Sequence, residues 1–351
     1  MALLFMEGFD TGDADLVGKW NRKPIAPDAG PSTLYGRNDQ GIRFTSNATP
    51  RRGEHAFASS TEDVMICGAA IRPATLTGSP TNASHGFFVI GEDGVHTSDD
   101  EHCSVAMGLN GVLIAFGPTN NVLATSATGV MSVDTWSYVE AKFTVHDTTG
   151  SIVVNVNGTQ VINVTGEDTR NGGSGYANMY RFGSYHLTQY SMDDLYLSDD
   201  TGSSPHNTFF GDVKVSKLLP NGNGNYSNLT GSDADQTDNY LQADENPPNE
   251  SDWNGSATAA DEDTYALEAT TEGTGTVLGI QVTNFASKDS SGTISGRNMI
   301  RTNSTDYFGS DEVMSESWST IQTIWAINPN DSLAWELADL DALEAGFEVR
   351  A

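Results

Sequence analysis

Apolar and polar residues alternate along most of this 351-residue chain, as they do in β-strands that bury one face. The alternation is clearest over 136–145, 151–157 and 160–164. The last two segments are separated by Asn157 and Gly158, a pair that favours the tight turn of a β-hairpin. The other strands predicted in the first half are 85–90 and 111–116.

The second half of the chain has a similar pattern, interrupted by a long polar stretch. Five segments are predicted to be strands: 209–215, 264–268, 277–287, 292–301 and 319–326. The polar stretch 225–260 is predicted to be an extended loop, anchored by the aromatic residues Trp253 and Tyr240.

One short helix is predicted near the C-terminus, where Leu337, Leu340 and Leu343 recur at helical spacing. Gly346 follows at the position of a helix C-cap, and residues 347–349 then alternate like a short strand. A strand, a helix and a second strand in succession indicate the end of a folded domain.

These patterns predict an all-β protein with two β-sandwich domains, the second of which carries the short terminal helix. The turn-rich residues 199–205 are typical of a linker between domains. The predicted domains are therefore residues 1–200 and residues 201–351.

The composition is strongly acidic, with 47 Asp and Glu residues against 17 Lys and Arg residues and a formal net charge of −30. Binding to nucleic acid or to an anionic membrane needs cationic side chains, so neither partner is expected. No segment approaches the roughly 18 apolar residues that a membrane-spanning helix needs. The apolar residues 1–6 lack a basic flank, so no secretory signal peptide is expected.

The sequence predicts no catalytic residues and no enzyme. Retaining and inverting glycosidases use a pair of carboxylates that face the same cleft. Asp193 and Asp194 are adjacent and would face opposite sides of a strand. Glu250 and Asp252 begin a suitable spacing, but Gly255 stands where a second glutamate is needed. A nucleophile elbow, a phosphate-binding loop and a dinucleotide fingerprint are also absent.

The sequence predicts neither a cofactor nor a metal site. Cys67 and Cys103 are too few for a zinc site and lie among apolar residues, so buried thiols are expected. His96 and His102 flank the acidic residues 99–101, where a solvated turn is favoured over a metal loop. Calcium stays an alternative, with three acidic clusters as candidate ligands: 10–15, 233–238 and Asp193 with Asp194.

Carbohydrate binding is the site hypothesis that the sequence supports. Four tyrosines follow a Gly-rich segment at 171–175 and are the candidate glycan-binding residues: Tyr176, Tyr180, Tyr185 and Tyr190. Exposed aromatic rings stack on sugar rings, and nearby Asn and Asp side chains accept hydrogen bonds from hydroxyl groups. The alternative is that these tyrosines belong to the core.

The first 200 residues resemble the concanavalin A-like (laminin-G-like) jelly-roll family. The resemblance lies in the order of three pieces, namely Trp136 at the start of a strand, a hairpin closing on 156–158, and a last strand at 191–198. Many phage proteins of this type also open with Gly-Phe-Asp, here residues 8–10. The resemblance implies a lectin-like jelly roll whose N-terminal edge strand pairs near the closing strand.

The second half resembles virion structural proteins of tailed bacteriophages. The resemblance rests on a succession of motifs: an acidic loop with Trp253, a turn at 286–289, a strand opening at 318–320, an Asn-Pro-Asn turn at 328–330, and Trp335 with its helix. It implies that residues 201–351 form an assembly domain.

The two resemblances together imply a non-enzymatic structural component of a tailed-phage virion, in the fibre, tip or collar of the tail. Such a protein is assembled in the host cytoplasm, forms a homo-oligomer, contacts other virion proteins and binds a host-surface glycan. Two alternatives are a capsid decoration or head-fibre protein and a carbohydrate-binding adhesin module.

Overall fold

In the computed structural model 46% of the chain is β-strand, arranged in antiparallel sheets, and 6% is helix, which confirms the predicted all-β fold class. The described residues are 3–10, 19–20, 35–44, 51–56, 62–92, 101–173, 175–184, 189–289 and 291–350. They form two compact units, the first containing Met1–Asp10 and Trp20–Val215 and the second containing Ser216–Ala351. Residues 201–215, which follow the boundary predicted at residue 200, therefore belong to the first unit.

The first unit is a sandwich of two antiparallel sheets. Its larger sheet has seven strands in the described part of the chain: β1 (Leu3–Glu7), β13 (Tyr190–Ser198), β4 (Val64–Pro73), β9 (Ser137–Thr144), β10 (Gly150–Val156) and β11 (Thr159–Glu167) in spatial order, with β2 (Ile42–Phe44) also paired to β13. Its smaller sheet has six: β3 (Arg51–Ala56), β12 (Met179–Ser184), β5 (Phe88–Gly91), β6 (Glu101–Met107), β7 (Leu113–Phe116) and β8 (Val122–Thr125).

Aromatic side chains fill the space between these two sheets. The Phe44 ring from the seven-stranded sheet lies 5.3 Å from the Phe182 ring of the six-stranded sheet, measured between centroids. Cys67 and Cys103 are fully buried free thiols, as predicted, and burial raises the pKa of both. The sulfur atoms are therefore uncharged packing groups at neutral pH.

The predicted hairpin is confirmed. Val156 at the end of β10 is paired with Thr159 at the start of β11. Asn157 and Gly158 between them have φ values of 49° and 75°, which is the left-handed pair that a two-residue hairpin turn requires.

The described part of the second unit contains a six-stranded sheet and two ribbons of two strands each. The sheet consists of β14 (Pro220–Ser227), β17 (Glu262–Leu267), β23 (Glu344–Arg350), β19 (Ser295–Thr302) and β20 (Thr305–Phe308) in spatial order, with β21 (Glu312–Val313) also paired to β19. The ribbons are β18 (Ile280–Ala286) with β22 (Ser319–Trp325), and β15 (Thr230–Gly231) with β16 (Asn254–Gly255).

A buried asparagine joins the six-stranded sheet of the second unit to the β18–β22 ribbon. The Asn298 side-chain amide donates hydrogen bonds to the Val282 carbonyl at 3.0 Å and to the Ile321 carbonyl at 3.1 Å. Asn298 is fully buried, so loss of this amide would leave both carbonyls without a donor from it in a dry environment.

The C-terminal helix is shorter than the sequence predicts. Helix α1 spans Leu337–Leu340, and Leu343 is buried after the helix has ended. The predicted C-cap is wrong, because Gly346 lies inside β23. A Cβ atom at Gly346 would approach the Asp263 carbonyl oxygen to 2.0 Å. Glycine is therefore required here for close approach of two strands, and not for a helix end.

The predicted strand at 209–215 is also wrong. This segment forms no strand, and its backbone amides are bound by side chains of the seven-stranded sheet. The Gly211 N–H donates to the Glu140 carboxylate at 2.8 Å, and the Val215 N–H donates to the Asp194 carboxylate at 2.8 Å. Side-chain acceptors thus replace the neighbouring strand, and we call residues 209–215 the docked segment.

Apart from α1, helical structure in the described residues consists of short 3₁₀ turns. These are Ala83–His85, Leu109–Gly111, Pro118–Asn120 and Asn239–Gln242. Within the described ranges, no helix is both long enough and apolar enough to cross a membrane.

Candidate functional site

Strand β12 places one charged side chain between two core aromatics. Tyr180 and Phe182 are fully buried, and burial raises the pKa of the Tyr180 hydroxyl. Successive side chains of a strand point to opposite faces, so Arg181 projects from the outer face of the six-stranded sheet. The residue is nevertheless buried, with 1% of its surface exposed.

Carboxylates from neighbouring strands surround Arg181. The guanidinium contacts the Glu101 carboxylate of β6, and both side chains are 2% exposed. Glu54 of β3 is the cross-strand partner of Arg181 and is fully buried. Two buried carboxylates on the same side of the sheet therefore accompany one buried cation, the arrangement that makes burial of charge tolerable.

His102 follows Glu101 on β6 and fixes a loop over this face. The Asn171 N–H donates to Nδ1 of His102 at 3.1 Å, so Nδ1 carries no proton. Nε2 lies 3.0 Å from the Tyr176 carbonyl oxygen and donates to it. Burial lowers the pKa of His102, so the ring is neutral at pH 7 and both hydrogen bonds persist.

Partly exposed polar and aromatic groups lie on and beside the loop that His102 holds. Tyr176 and Asn171 are half-buried, and the Glu92 carboxylate is 26% exposed and 3.6 Å from Nε2 of His102. Gly173 has a φ of +57°, and a Cβ there would lie 2.5 Å from Glu92 Oε1. Glycine is therefore needed where the loop passes the carboxylate. We call Glu92, Asn171 and Tyr176 the Tyr176 rim.

The other predicted glycan-binding tyrosines do not share this rim. Tyr180 and Tyr190 are 0% and 2% exposed. Their hydroxyl groups donate to the Phe87 carbonyl at 3.4 Å and the Gly183 carbonyl at 2.7 Å. This corrects the expectation of a four-tyrosine surface, because core rings cannot stack on a sugar. Tyr185 lies outside the described residues.

The seven-stranded sheet carries a second polar cluster on its outer face. Glu140 accepts a hydrogen bond from the Tyr196 hydroxyl at 2.7 Å, and the Phe210 ring stacks on Tyr196 with centroids 4.2 Å apart. The Arg37 Nε atom lies 2.9 Å from the Asp194 carboxylate. These groups bind the docked segment and one another, so the chain itself occupies the surface that a ligand would need.

Asp193 is the most strongly perturbed acid in this second cluster. Burial, together with the nearby charge of Asp194, raises the pKa of Asp193 to about 8. Burial also raises the pKa of Asp194, although the Val215 N–H and the Arg37 charge oppose the rise. The folded protein therefore holds a proton here at pH values where the unfolded chain has lost it.

The free energy of unfolding of the first unit is expected to fall as pH rises through the interval from the ordinary aspartate value of 3.8 to about 8. Each pH unit inside the interval costs at most about 1.4 kcal/mol for one proton. Urea unfolding at about pH 5.5 and about pH 8.5 measures the difference. Asp193→Asn should show a smaller difference than the natural chain, and an unchanged difference would contradict this assignment.

The candidate metal clusters receive no support from the described side chains. No group of three or more His, Cys, Asp and Glu side chains suited to a metal ion occurs within the described ranges. Residues 11–15 of the first calcium candidate lie outside those ranges, as does His96. His102 is a buried hydrogen-bonding residue of the loop described above.

The sequence analysis missed the buried group of Glu54, Glu101, His102 and Arg181. These residues come from three strands, and no spacing in the sequence connects them. One signal was available: Arg181 stands alone between core aromatics, and the pair Glu101–His102 directly precedes the buried Cys103. An isolated charge inside an apolar strand has to find a buried partner.

Comparison with known proteins gives structural similarity without sequence similarity. No protein-family model matches the chain. No curated protein matches it. Alginate lyase Aly36B is 12% identical over 56% of this chain and 96% of its own, with a TM-score of 0.36. Domain 4 of AbnA, a GH43 extracellular arabinanase from Geobacillus stearothermophilus, is 13% identical over 56% of this chain and 92% of its own, with a TM-score of 0.36.

A GH131 β-glucanase catalytic domain from Podospora anserina is 11% identical over 56% of this chain and 95% of its own, with a TM-score of 0.36. Matches at this level assign no activity, substrate or ligand to the chain. They do correct one prediction, because the matched structures include a lyase and a catalytic domain. The exclusion of an enzyme on the sequence alone was wrong and is withdrawn.

Proposed function

We propose that this chain is a structural protein of a tailed-phage virion, carried on the tail, and that its first unit binds a host-surface glycan at the Tyr176 rim. The observation that carries the glycan proposal is the rim itself. It combines a half-buried aromatic ring and an amide, both on the loop that His102 fixes, with the Glu92 carboxylate beside that loop.

The rim has the chemistry that a sugar needs. A tyrosine ring offers an apolar face to the C–H groups of a pyranose, and Glu92 and Asn171 offer acceptors for its hydroxyl groups. Because His102 already fixes the loop backbone, little conformational entropy remains to be lost on binding. Rigidity of this kind supports a binding surface.

Charge narrows the class of glycan. The rim carries the Glu92 carboxylate, and the neighbouring cation Arg170 is held by Asp147 at 2.6 Å. The whole chain has a formal net charge of −30. A glycan with uronate, sialate or sulfate groups would therefore be repelled, and a neutral glycan is expected.

Tyr176→Ala is expected to weaken binding of a neutral glycan by about tenfold, the loss that follows removal of one aromatic contact. Tyr176→Phe should keep most of the affinity, because it keeps the ring. A glycan array with the full chain selects the ligand, and titration calorimetry measures the change.

Tyr240→Ala is the matched control, since Tyr240 is also half-buried but lies in the second unit. If Tyr176→Ala and the natural chain bound the neutral glycan with equal affinity, the Tyr176 rim would not be the glycan site. Release of reducing sugar or of an unsaturated product from the bound glycan would show that the site is catalytic.

The virion assignment is supported by the resemblance of the second half to tailed-phage structural proteins and is tested by immunogold labelling. Antibodies against the full chain should label phage particles at the tail. Labelling of the head would favour the capsid decoration alternative, and no labelling of particles would leave a free adhesin module. Light scattering of the purified chain tests the expected homo-oligomer.

A further inference from the structure

Trp253 is an exposed tryptophan in an acidic loop. Of the six tryptophans, all within the described ranges, it alone falls in the exposed class, with 44% of its surface accessible. The sequence analysis expected Trp253 to anchor the loop 225–260, and its exposure corrects that expectation. Asn239 and Asp263, which are buried and hydrogen-bonded to each other at 2.6 Å, anchor the loop instead.

The backbone around Trp253 is fixed. The Trp253 carbonyl accepts a hydrogen bond from the Ser232 N–H at 2.8 Å, and the next residue, Asn254, pairs with Gly231 in the β15–β16 ribbon. The Asn254 side-chain amide donates to the Asn239 carbonyl at 2.8 Å and to the Tyr265 hydroxyl at 2.9 Å. The indole therefore projects from a backbone segment that is fixed by hydrogen bonds.

The indole of Trp253 lies beside Gly255. A Cβ atom on Gly255 would lie 3.2 Å from Cζ3 and 3.4 Å from Cε3 of Trp253, so this edge of the six-membered ring is within contact distance of the glycine. The residue still has 44% of its surface accessible. An exposed flat apolar ring suits stacking against another flat apolar surface.

The stretch of sequence around Trp253 is rich in hydrogen-bond acceptors and has no cationic residue. Asp252 precedes Trp253 and accepts a hydrogen bond from the Asn249 amide at 2.8 Å. The Ser232 hydroxyl donates to Gln242 Oε1 at 2.6 Å beside the same ribbon. From residue 218 to residue 287 the sequence contains no Lys, Arg or His. Ligands with hydroxyl or amino donors are favoured here, and anionic ligands are repelled.

We infer that Trp253 is a second glycan-binding surface, located in the second unit and independent of the Tyr176 rim, for sugars that carry neither carboxylate nor sulfate groups. The C–H face of a pyranose stacks on the exposed part of the Trp253 indole ring. Its hydroxyl groups donate to the carboxylate and amide oxygens of the loop.

The test uses the full chain with Tyr176→Ala already in place, so that binding at the rim does not contribute. Neutral and amino-bearing oligosaccharides are screened by saturation-transfer NMR, and the affinity of those that bind is measured by calorimetry. Adding Trp253→Ala should then reduce affinity at least about tenfold. Adding Trp253→Phe should reduce it less, and adding Trp318→Ala should leave it unchanged.

Trp318 is a suitable control because its ring is stacked on Phe285, with centroids 5.4 Å apart, and is half-buried. Absence of any oligosaccharide binding in the Tyr176→Ala chain overturns the inference while leaving the proposed function intact. Binding that survives Trp253→Ala overturns it as well. If Tyr176→Ala leaves binding unchanged while Trp253→Ala abolishes it, only the rim is refuted.

Discussion

Trp335→Ala is expected to lower the free energy of unfolding of the second unit by about 3–5 kcal/mol, the usual cost of removing a large aromatic from a core. Trp335 is 1% exposed and packs in a cluster with Val282, Ile300 and Leu343. Its indole N–H also donates to the Trp325 carbonyl at 2.9 Å. The variant therefore creates a cavity and deprives a carbonyl of its donor, in a unit with few other large buried side chains.

Hydrogen exchange followed by mass spectrometry localises this effect. Amides of β22 and β23 should exchange faster in Trp335→Ala, while amides of the first unit should not change. Trp318→Ala is the control, because Trp318 is only half-buried, and it should cost about 1 kcal/mol or less. Comparable effects of the two substitutions would show that Trp335 is not the centre of this core.

The second large effect is expected from Arg181→Met. The substitution keeps most of the side-chain volume but removes the guanidinium that contacts Glu101, leaving a buried carboxylate without that cation. Breaking one side of a buried ion pair costs about 3–5 kcal/mol. We therefore expect a lower free energy of unfolding of the first unit, measured by urea denaturation.

A second substitution separates charge from packing. Arg181→Met combined with Glu101→Gln should recover much of the loss, because the uncompensated charge is gone. Arg72→Met is the matched surface control. Arg72 is 35% exposed and its partner Asp134 is 70% exposed, so its loss should change stability by about 0.5 kcal/mol or less. If the double variant were no more stable than Arg181→Met, buried charge would not be the cause.

Local sequence patterns were sufficient where the chain pairs with its near neighbours. The Asn157–Gly158 hairpin needs only two adjacent strands and a left-handed turn, both of which the sequence states directly. The strand predicted at 319–326 is observed as β22, Ser319–Trp325, although its partner β18 lies more than 30 residues earlier in the sequence. The alternation of apolar and polar residues shows which face of a segment is buried, and a segment with one buried face is predicted to be a strand.

The sequence patterns gave wrong predictions where a residue far away in the sequence determines the local structure. Residues 209–215 have strand-like alternation, but Glu140 and Asp194 bind their backbone amides before any strand can. Gly346 resembles a helix C-cap because the constraint that selects glycine there is the Asp263 carbonyl, more than 80 residues earlier in the sequence. Neither partner can be identified by local spacing.

The residues of the candidate site show the same difference between local and long-range features. The sequence could select Tyr176 as a candidate because an aromatic beside a Gly-rich segment is a local feature. Burial of Tyr180 and Tyr190 depends on the opposite sheet, so the sequence could not separate these tyrosines from Tyr176. The buried Glu101–Arg181 pair needed strand order, which places β12 next to β5 and β5 next to β6.

The position of β23 has a consequence for synthesis of the protein on the ribosome. Glu344–Arg350 comes after the other strands of its sheet in chain order, yet it lies inside the sheet, between β17 and β19. Until it leaves the exit tunnel, those two strands have no partner between them, and each presents an unpaired edge to other nascent chains. The six-stranded sheet of the second unit is therefore completed only after translation of the strand at its centre, and premature termination before Glu344 should yield aggregates rather than a smaller folded unit.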